Sequence, residues 1–373
     1  MRLLSSGPRI LPEPAASGTR RVVQKAPEGI ALEDEANALL ARMPKAEVHL
    51  HLEGTLAPET LWRMAQRNGV ALPAGSLQEL RAFYQFDGFD KFARLWRAMC
   101  ACFRSEADYE QMVDGFVAEC TRQHIRYVEA HFTPYNHQRY GIGARRALEV
   151  VTRRLEAAER AGGPVTRLIL DISSESIPQG GPLTAELFEQ EANPLVVAVG
   201  LGGPEVGFPR SAAAPYFDRI RRAGYAAVAH AGETEGPEHV RQAVQELGVR
   251  RVQHGVRASE DGGTLRMLAE RNICCDVALT SNRCLKVYED LSGHPLKRMI
   301  AAGVPVTLST DDPPFFGTDL VREYALAHQL FGLSVGELWQ LNLNGLRYGL
   351  AETPVRRRLM LEFNAAAETL GIG

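Results

Sequence analysis

No stretch of the sequence approaches the roughly 18 consecutive apolar residues that a membrane-crossing helix requires, which argues against a membrane partner. Charge of one sign is missing too: 42 Lys and Arg face 45 Asp and Glu, a formal net charge of −3. Without a basic excess, nucleic acid is not an expected partner. Cysteine is sparse and badly placed for crosslinks. Six occur in 373 residues, and the pairs Cys100 and Cys102, and Cys274 and Cys275, are too close to join distant segments. With no secretory leader pattern, reduced thiols and a cytoplasmic location are expected. Acid is nearly absent from the first 27 residues, where Glu13 stands alone among Pro, Ser, Gly and Arg. That composition imitates an organelle transit peptide, but a disordered, dispensable extension over residues 1–30 is the expected reading.

What is present is a globular composition, 45% apolar and 23% charged, sufficient for a sizeable core. No internal repeat or low-complexity linker divides residues 31–373, which read as a single domain. A short helix is expected at Leu32–Met43, stopped by Pro44. Strand-like runs follow at about 47–53, 126–133, 166–173, 195–202, 225–231, 251–256, 273–279 and 304–309. Helical patterns lie between them, among them 145–161, 237–247 and 263–271. Alternation of this kind implies parallel pairing through right-handed crossovers, and eight repeats point to an α/β fold, a (β/α)₈ barrel. An open doubly wound sheet is the alternative. It usually places a Gly-rich phosphate turn after its first strand, where this chain has two histidines. Residues 55–125 are too many for one crossover, so extra helices are expected between the first and second strands. From Phe89 onward, Phe89, Phe92, Leu95, Trp96, Met99 and Phe103 follow one helical stripe there, fit to pack on the barrel, and the early aromatics Phe86, Phe89 and Phe92 are fit to form an apolar lid.

The residues suited to chemistry sit at the strand ends. His49 and His51 are two apart on a strand, so both project to one face and can chelate one ion. Alone, such a pair is often two ordinary polar residues. Here His230-Ala-Gly-Glu233, His254-Gly255 and Ser309-Thr310-Asp311-Asp312-Pro313 end three further strands. Barrel enzymes draw catalytic groups from several such ends. Three imidazoles and a carboxylate suit one Zn²⁺ per chain with a position left for water, although Fe or Co would accept the same donors. Asp311-Asp312 also has a plain reading, as a helix cap before Pro313. Adjacent residues diverge at a strand end, however, so one carboxylate can reach a metal while the other faces water or substrate.

These motifs resemble the adenosine/adenine deaminase family of zinc amidohydrolases. The likeness runs from Met43 to about residue 325 and includes H-x-H-x-x-G, H-A-G-E, H-G, T-S-N at Thr280–Asn282, and T-D-D-P. It implies that His49, His51, His230 and Asp311 ligate zinc and that Glu233 protonates ring N1. It also implies that His254 and Asp312 orient and deprotonate the attacking water, and that the Gly203 backbone donates to purine N3. His51, Gly203 and Asp312 would then border the substrate, a small purine nucleoside. Where adenosine-specific members read D-L-A-G-D-E, this chain reads Gly200-Leu-Gly-Gly-Pro-Glu205, a form resembling the branch that acts on 6-amino-6-deoxyfutalosine. Glu53 stands where many adenosine enzymes carry Asp near the ribose, and can either bind a hydroxyl or shrink that space. Arg139, after the second strand, is either a solvated charge or a group at the mouth. Adenosine and adenine remain alternative substrates. A two-metal hydrolase is disfavoured because residues 198–207 contain no bridging Lys. A non-catalytic purine-binding barrel is disfavoured because no ligand or acid is lost.

Overall fold

The computed structural model describes residues 35–372 except 85, 87, 141, 191 and 192; the expected extension over residues 1–30 lies outside them. Eight strands are present: β1 Lys45–His51, β2 Ile125–Phe132, β3 Val165–Ser173, β4 Val196–Gly202, β5 Ala226–Ala231, β6 Arg251–His254, β7 Cys274–Val277 and β8 Val306–Leu308. Each pairs in parallel with the next in chain order. β1 also meets the residues after β8. The His51 N–H donates to the Asp311 carbonyl at 2.9 Å and the Asp311 N–H to the His49 carbonyl at 3.2 Å. The expected (β/α)₈ barrel is what forms.

Strands covered on both faces read as nearly continuous buried runs. β3 shows this, with only Ser173 less than fully buried. Strand starts fall close to the expected positions, but β6 and β7 end sooner than expected. After β6 the chain turns left-handed at His254 (φ 59°) and Gly255 (φ 67°), which ends the pairing. The helical pattern at 237–247 also differs: an α-helix, Pro237–Gln242, continues as one π turn, Ala243–Leu247.

The long connection after β1 holds four helices, Pro58–Asn68, Leu77–Phe83, Phe89–Cys100 and Glu106–Arg122. The third divides its faces by helical period. Leu95 and Met99 are buried in the core, while Phe89, Phe92, Ala93, Trp96, Arg97 and Cys100 line a cavity at the barrel mouth. Both readings of the aromatic stripe therefore hold. Phe86 is the exception. Its ring packs against Phe315 and Phe316, at 5.9 and 6.0 Å between centroids, and is not among the cavity-lining residues.

At the opposite end, the barrel interior is closed by charge. Arg251 is fully buried. It meets Glu129 at 2.6 Å and Asp276 at 2.9 Å, and donates to the carbonyls of Tyr348 and Val48 at 3.1 and 3.2 Å. No helix among the described residues is long and apolar enough to cross a membrane.

Candidate active site

The mouth cavity is lined by His51, His230, Glu233, His254, Asp311, Asp312 and Gly203, from the ends of five strands or the loops that follow them. The expected site residues therefore converge. His49 lies just beneath, fully buried. Its Nε2 is 3.2 Å from His230 Nε2 and 3.4 Å from Asp311 Oδ1. His51 Nε2 is 3.1 Å from His230 Nε2 and 3.3 Å from Asp311 Oδ1.

Those four atoms fit a cation. His49 Nδ1 faces the Asp276 carbonyl at 3.1 Å and His230 Nδ1 the Leu201 carbonyl at 3.0 Å. A carbonyl only accepts, so each ring carries its proton on Nδ1 and turns a bare Nε2 lone pair toward the other. Lone pairs held at 3.2 Å repel unless a positive centre lies among them. Separations of 3.1–3.4 Å also suit ligands about 2.0–2.1 Å from one ion. His254 groups with His49, His230 and Asp311, their donor atoms all within 4.8 Å of one another, while His51 groups in the same way with His131 and Asp171. His254 stands back, however, with Nε2 3.6 Å from Glu233 Oε1 and 3.9 Å from Asp311 Oδ2.

Backbone strain marks the cluster. His254 and Asp311 both adopt left-handed conformations, at φ 59° and 64°. Such conformations cost a non-glycine residue about 1–2 kcal/mol. Ser281 donates to Asp311 Oδ2 at 2.7 Å and so fixes its carboxylate plane. Burial pushes the Asp311 carboxyl up, but the His49 and His51 rings set against it outweigh this and keep the group well below its usual range. Asp312 moves the other way, raised by burial and by Asp311 beside it, and its Oδ1 has no partner. Gly54 makes that placement possible, because a Cβ there would lie 1.7 Å from Asp312 Oδ1.

Glu233 is buried with Oε1 unpartnered. Burial raises its pKa well above the ordinary value, with Asp311, Glu205 and Asp312 adding to the effect. Its loop is clamped from beneath by Glu205, whose carboxylate accepts from the N–H groups of Gly232, Glu233, Thr234 and Glu235 at 2.6–2.9 Å. Burial alone would raise Glu205; His239 and the loop amides outweigh it and hold the group at about 2. Gly203 sits at φ 80°, with no room for a side chain beside Ser173 and Ser174. Its N–H has no acceptor among the described residues.

Two buried residues that carry no motif join this site. His131 is the last residue but one of β2 and Asp171 lies in β3, with His131 Nδ1 2.9 Å from Asp171 Oδ1. Asp171 Oδ2 faces His51 Nδ1 at 3.7 Å. Asp171 pairs in register with Gly200, where a Cβ would sit 1.8 Å from Asp171 Oδ1. An aspartate at Gly200, as in D-L-A-G-D-E, cannot coexist with Asp171 in this position. Here the carboxylate beside His51 comes from β3. Glu53 is turned away. Fully buried, it accepts from the Thr133 N–H at 2.9 Å and pairs with His137 at 3.0 Å, and it does not line the cavity. Arg139 is exposed at the cavity mouth, its guanidinium 5.9 Å from the Tyr140 ring centroid.

The sequence pattern of the adenosine deaminase family matches residues 44–366. The chain belongs to that family. It is similar to an aminodeoxyfutalosine deaminase of Streptomyces coelicolor, 35% identical over 332 residues, covering 88% of this chain and 86% of the relative. It is equally similar to an adenine deaminase of Sinorhizobium medicae, 34% identical over 322 residues, covering 86% and 98%. The crystal structure of an adenine deaminase from Arthrobacter aurescens superposes with a TM-score of 0.83 at 29% identity, covering 87% of this chain and 99% of that one. The protein is thus a deaminase of adenine- or adenosine-like substrates, a hydrolase acting on C–N bonds, in a family whose members depend on metal.

Proposed function

We propose that the protein hydrolyses the 6-amino group of a purine nucleoside carrying a large apolar or aromatic substituent on the 5′ side of its ribose. 6-Amino-6-deoxyfutalosine is the leading candidate. The observation that carries the reaction is the convergence, at one cavity, of four metal-type donors, a buried carboxyl whose pKa is raised and an unpartnered backbone N–H. His49, His51, His230 and Asp311 would hold one Zn²⁺, which when bound lowers the pKa of water toward about 7. The Gly203 N–H meets ring N3 and orients the purine. Asp312 and His254 hold the attacking water, and Asp312 takes its proton. As the water oxygen bonds to C6, Glu233 delivers its proton to N1. The proton held by Asp312 passes to the 6-amino group, the C6–N bond breaks to release ammonia, and the hydroxyl proton returns to Glu233, leaving the 6-oxo purine.

Glu53 is committed to Thr133 and His137, so no carboxylate from that position meets the ribose that both nucleosides share. One feature supports a substituted nucleoside over adenosine. The wall of Phe89, Phe92 and Trp96 offers an aromatic substituent a face to stack on. Adenine is the second reading, favoured by relatives of that name at 34% identity. The test compares adenine, adenosine, deoxyadenosine, methylthioadenosine and 6-amino-6-deoxyfutalosine by loss of 6-aminopurine absorbance, with metal analysis alongside. The futalosine analogue should give the highest kcat/KM, with about one zinc per chain. Efficient turnover of adenosine or adenine alone overturns the substrate, and two metals or none overturn the metal assignment.

A further inference from the structure

Behind His254 runs a line of polar groups for which the chemistry above has no use. His294 is buried in the loop between β7 and β8, walled by the rings of Tyr288 and Phe331. Its Nδ1 accepts the Leu296 N–H at 3.2 Å, and its Nε2 is 3.1 Å from Asn282 Oδ1. Asn282, fully buried, places Nδ2 3.2 Å from His254 Nδ1.

A backbone N–H can only donate, and that one fact sets the direction of every bond beyond it. With Nδ1 accepting from Leu296, a neutral His294 carries its proton on Nε2 and donates it to Asn282 Oδ1. The Asn282 amide is therefore oriented with Nδ2 toward His254, and it donates into the His254 Nδ1 lone pair. Flipping Asn282 would set N–H against N–H at the His294 link, between two buried side chains. The remaining nitrogen of His254, Nε2, faces Glu233 and Asp311.

We propose that His294, acting through Asn282, is a positioning residue that holds His254 as the tautomer with its proton on Nε2. The site thereby receives a fixed N–H donor, not a lone pair. His254 then holds the oxygen of the attacking water, and proton removal falls to Asp312. This catalytic consequence rests on the deaminase reading; the tautomer does not.

The test is ¹⁵N spectroscopy of the imidazoles in the full-length, zinc-loaded protein, with His254 assigned by its disappearance in His254→Gln. Wild type should show His254 protonated on Nε2 alone. Asn282→Asp replaces the donating amide by an acceptor of the same shape, so it should move the proton to Nδ1. The same variant should lower kcat by about 10²-fold or more, with KM little changed. His294→Leu should abolish the single tautomer. His294→Gln, which can accept from Leu296 and donate to Asn282, should restore it, and this pair decides the matter if Asn282→Asp does not fold. A wild-type His254 protonated on Nδ1, or Asn282→Asp with an unchanged tautomer or an unchanged kcat, overturns the proposal. The expected tautomers in a protein that deaminates no purine would uphold the positioning and refute the deaminase reading.

Discussion

At one end of the barrel Arg251 has carboxylates at 2.6 and 2.9 Å and two carbonyls besides. At the other end Glu233, Asp312, Asp171 and His131 each keep a buried polar atom without a partner. Both regions bury several charged groups, and burying charge unpaired is costly. The first end meets that cost with complementary groups and gains a closed interior. The second leaves valences open, adds two left-handed residues, and so stores free energy that a bound ion and substrate can relieve. Between these two regions, charge met by opposite charge is structure, and carboxyls left without it are site.

The sharpest way to break the comparison is to change one group at each end. Glu233→Gln keeps size and burial but has no proton for N1. Turnover should fall by about 10²–10⁴, while metal content and urea stability stay at or above wild type. Arg251→Met should do the reverse, leaving Glu129 and Asp276 unpaired at a cost of about 3–5 kcal/mol in urea unfolding. A destabilised Glu233→Gln or an undisturbed Arg251→Met would erase the distinction.

Glu205 tests the boundary between the ends, being a satisfied charge directly beneath an unsatisfied one. Its folded pKa, about 2, lies below the ordinary carboxylate value. Its contribution is therefore fully present above about pH 4.3 and is lost as pH falls toward 2. Glu205→Gln should be less stable by about 3 kcal/mol at pH 7, a gap that closes on acidification. A gap that does not change with pH would show that the loop amides do not select the ionised form. The smallest effect is expected at Asp171. Asp171→Ala frees the outer face of His51 and should weaken zinc binding about 10–100-fold in chelator competition. Pairing it with Gly200→Asp should recover part of that loss, whereas Gly200→Asp alone should clash and recover nothing.

The barrel and the ligand-type residues were legible because each depends on local order. Strand runs alternate with helical periods, and His49, His51, His230, Glu233, His254, Asp311 and Asp312 all stand where an apolar strand stops. His131 and Asp171 sit on strands too, but Asp171 gains its meaning from its register with Gly200, which pairing alone reveals. His294 lies in a loop and acts through contacts that no spacing encodes. Glu53 misleads for the converse reason. Its place beside H-x-H suggests the substrate, yet packing commits it to Thr133 and His137.

The meeting of β1 with the residues after β8 carries a consequence for the order of assembly. The bonds that seal that seam join groups as far apart in sequence as Glu47 and Thr310, a separation of 263 residues. Contacts this remote come with a loop-closure entropy that local pairing does not bear. His49 and His51 lie on one side of the seam and Asp311 on the other, so the full donor set exists only once the ring has closed. A chain emerging during synthesis holds an incomplete chelate until nearly all of its length is available. Capture of a metal by the complete set would therefore fall among the last events of folding and would lock the seam it waited for.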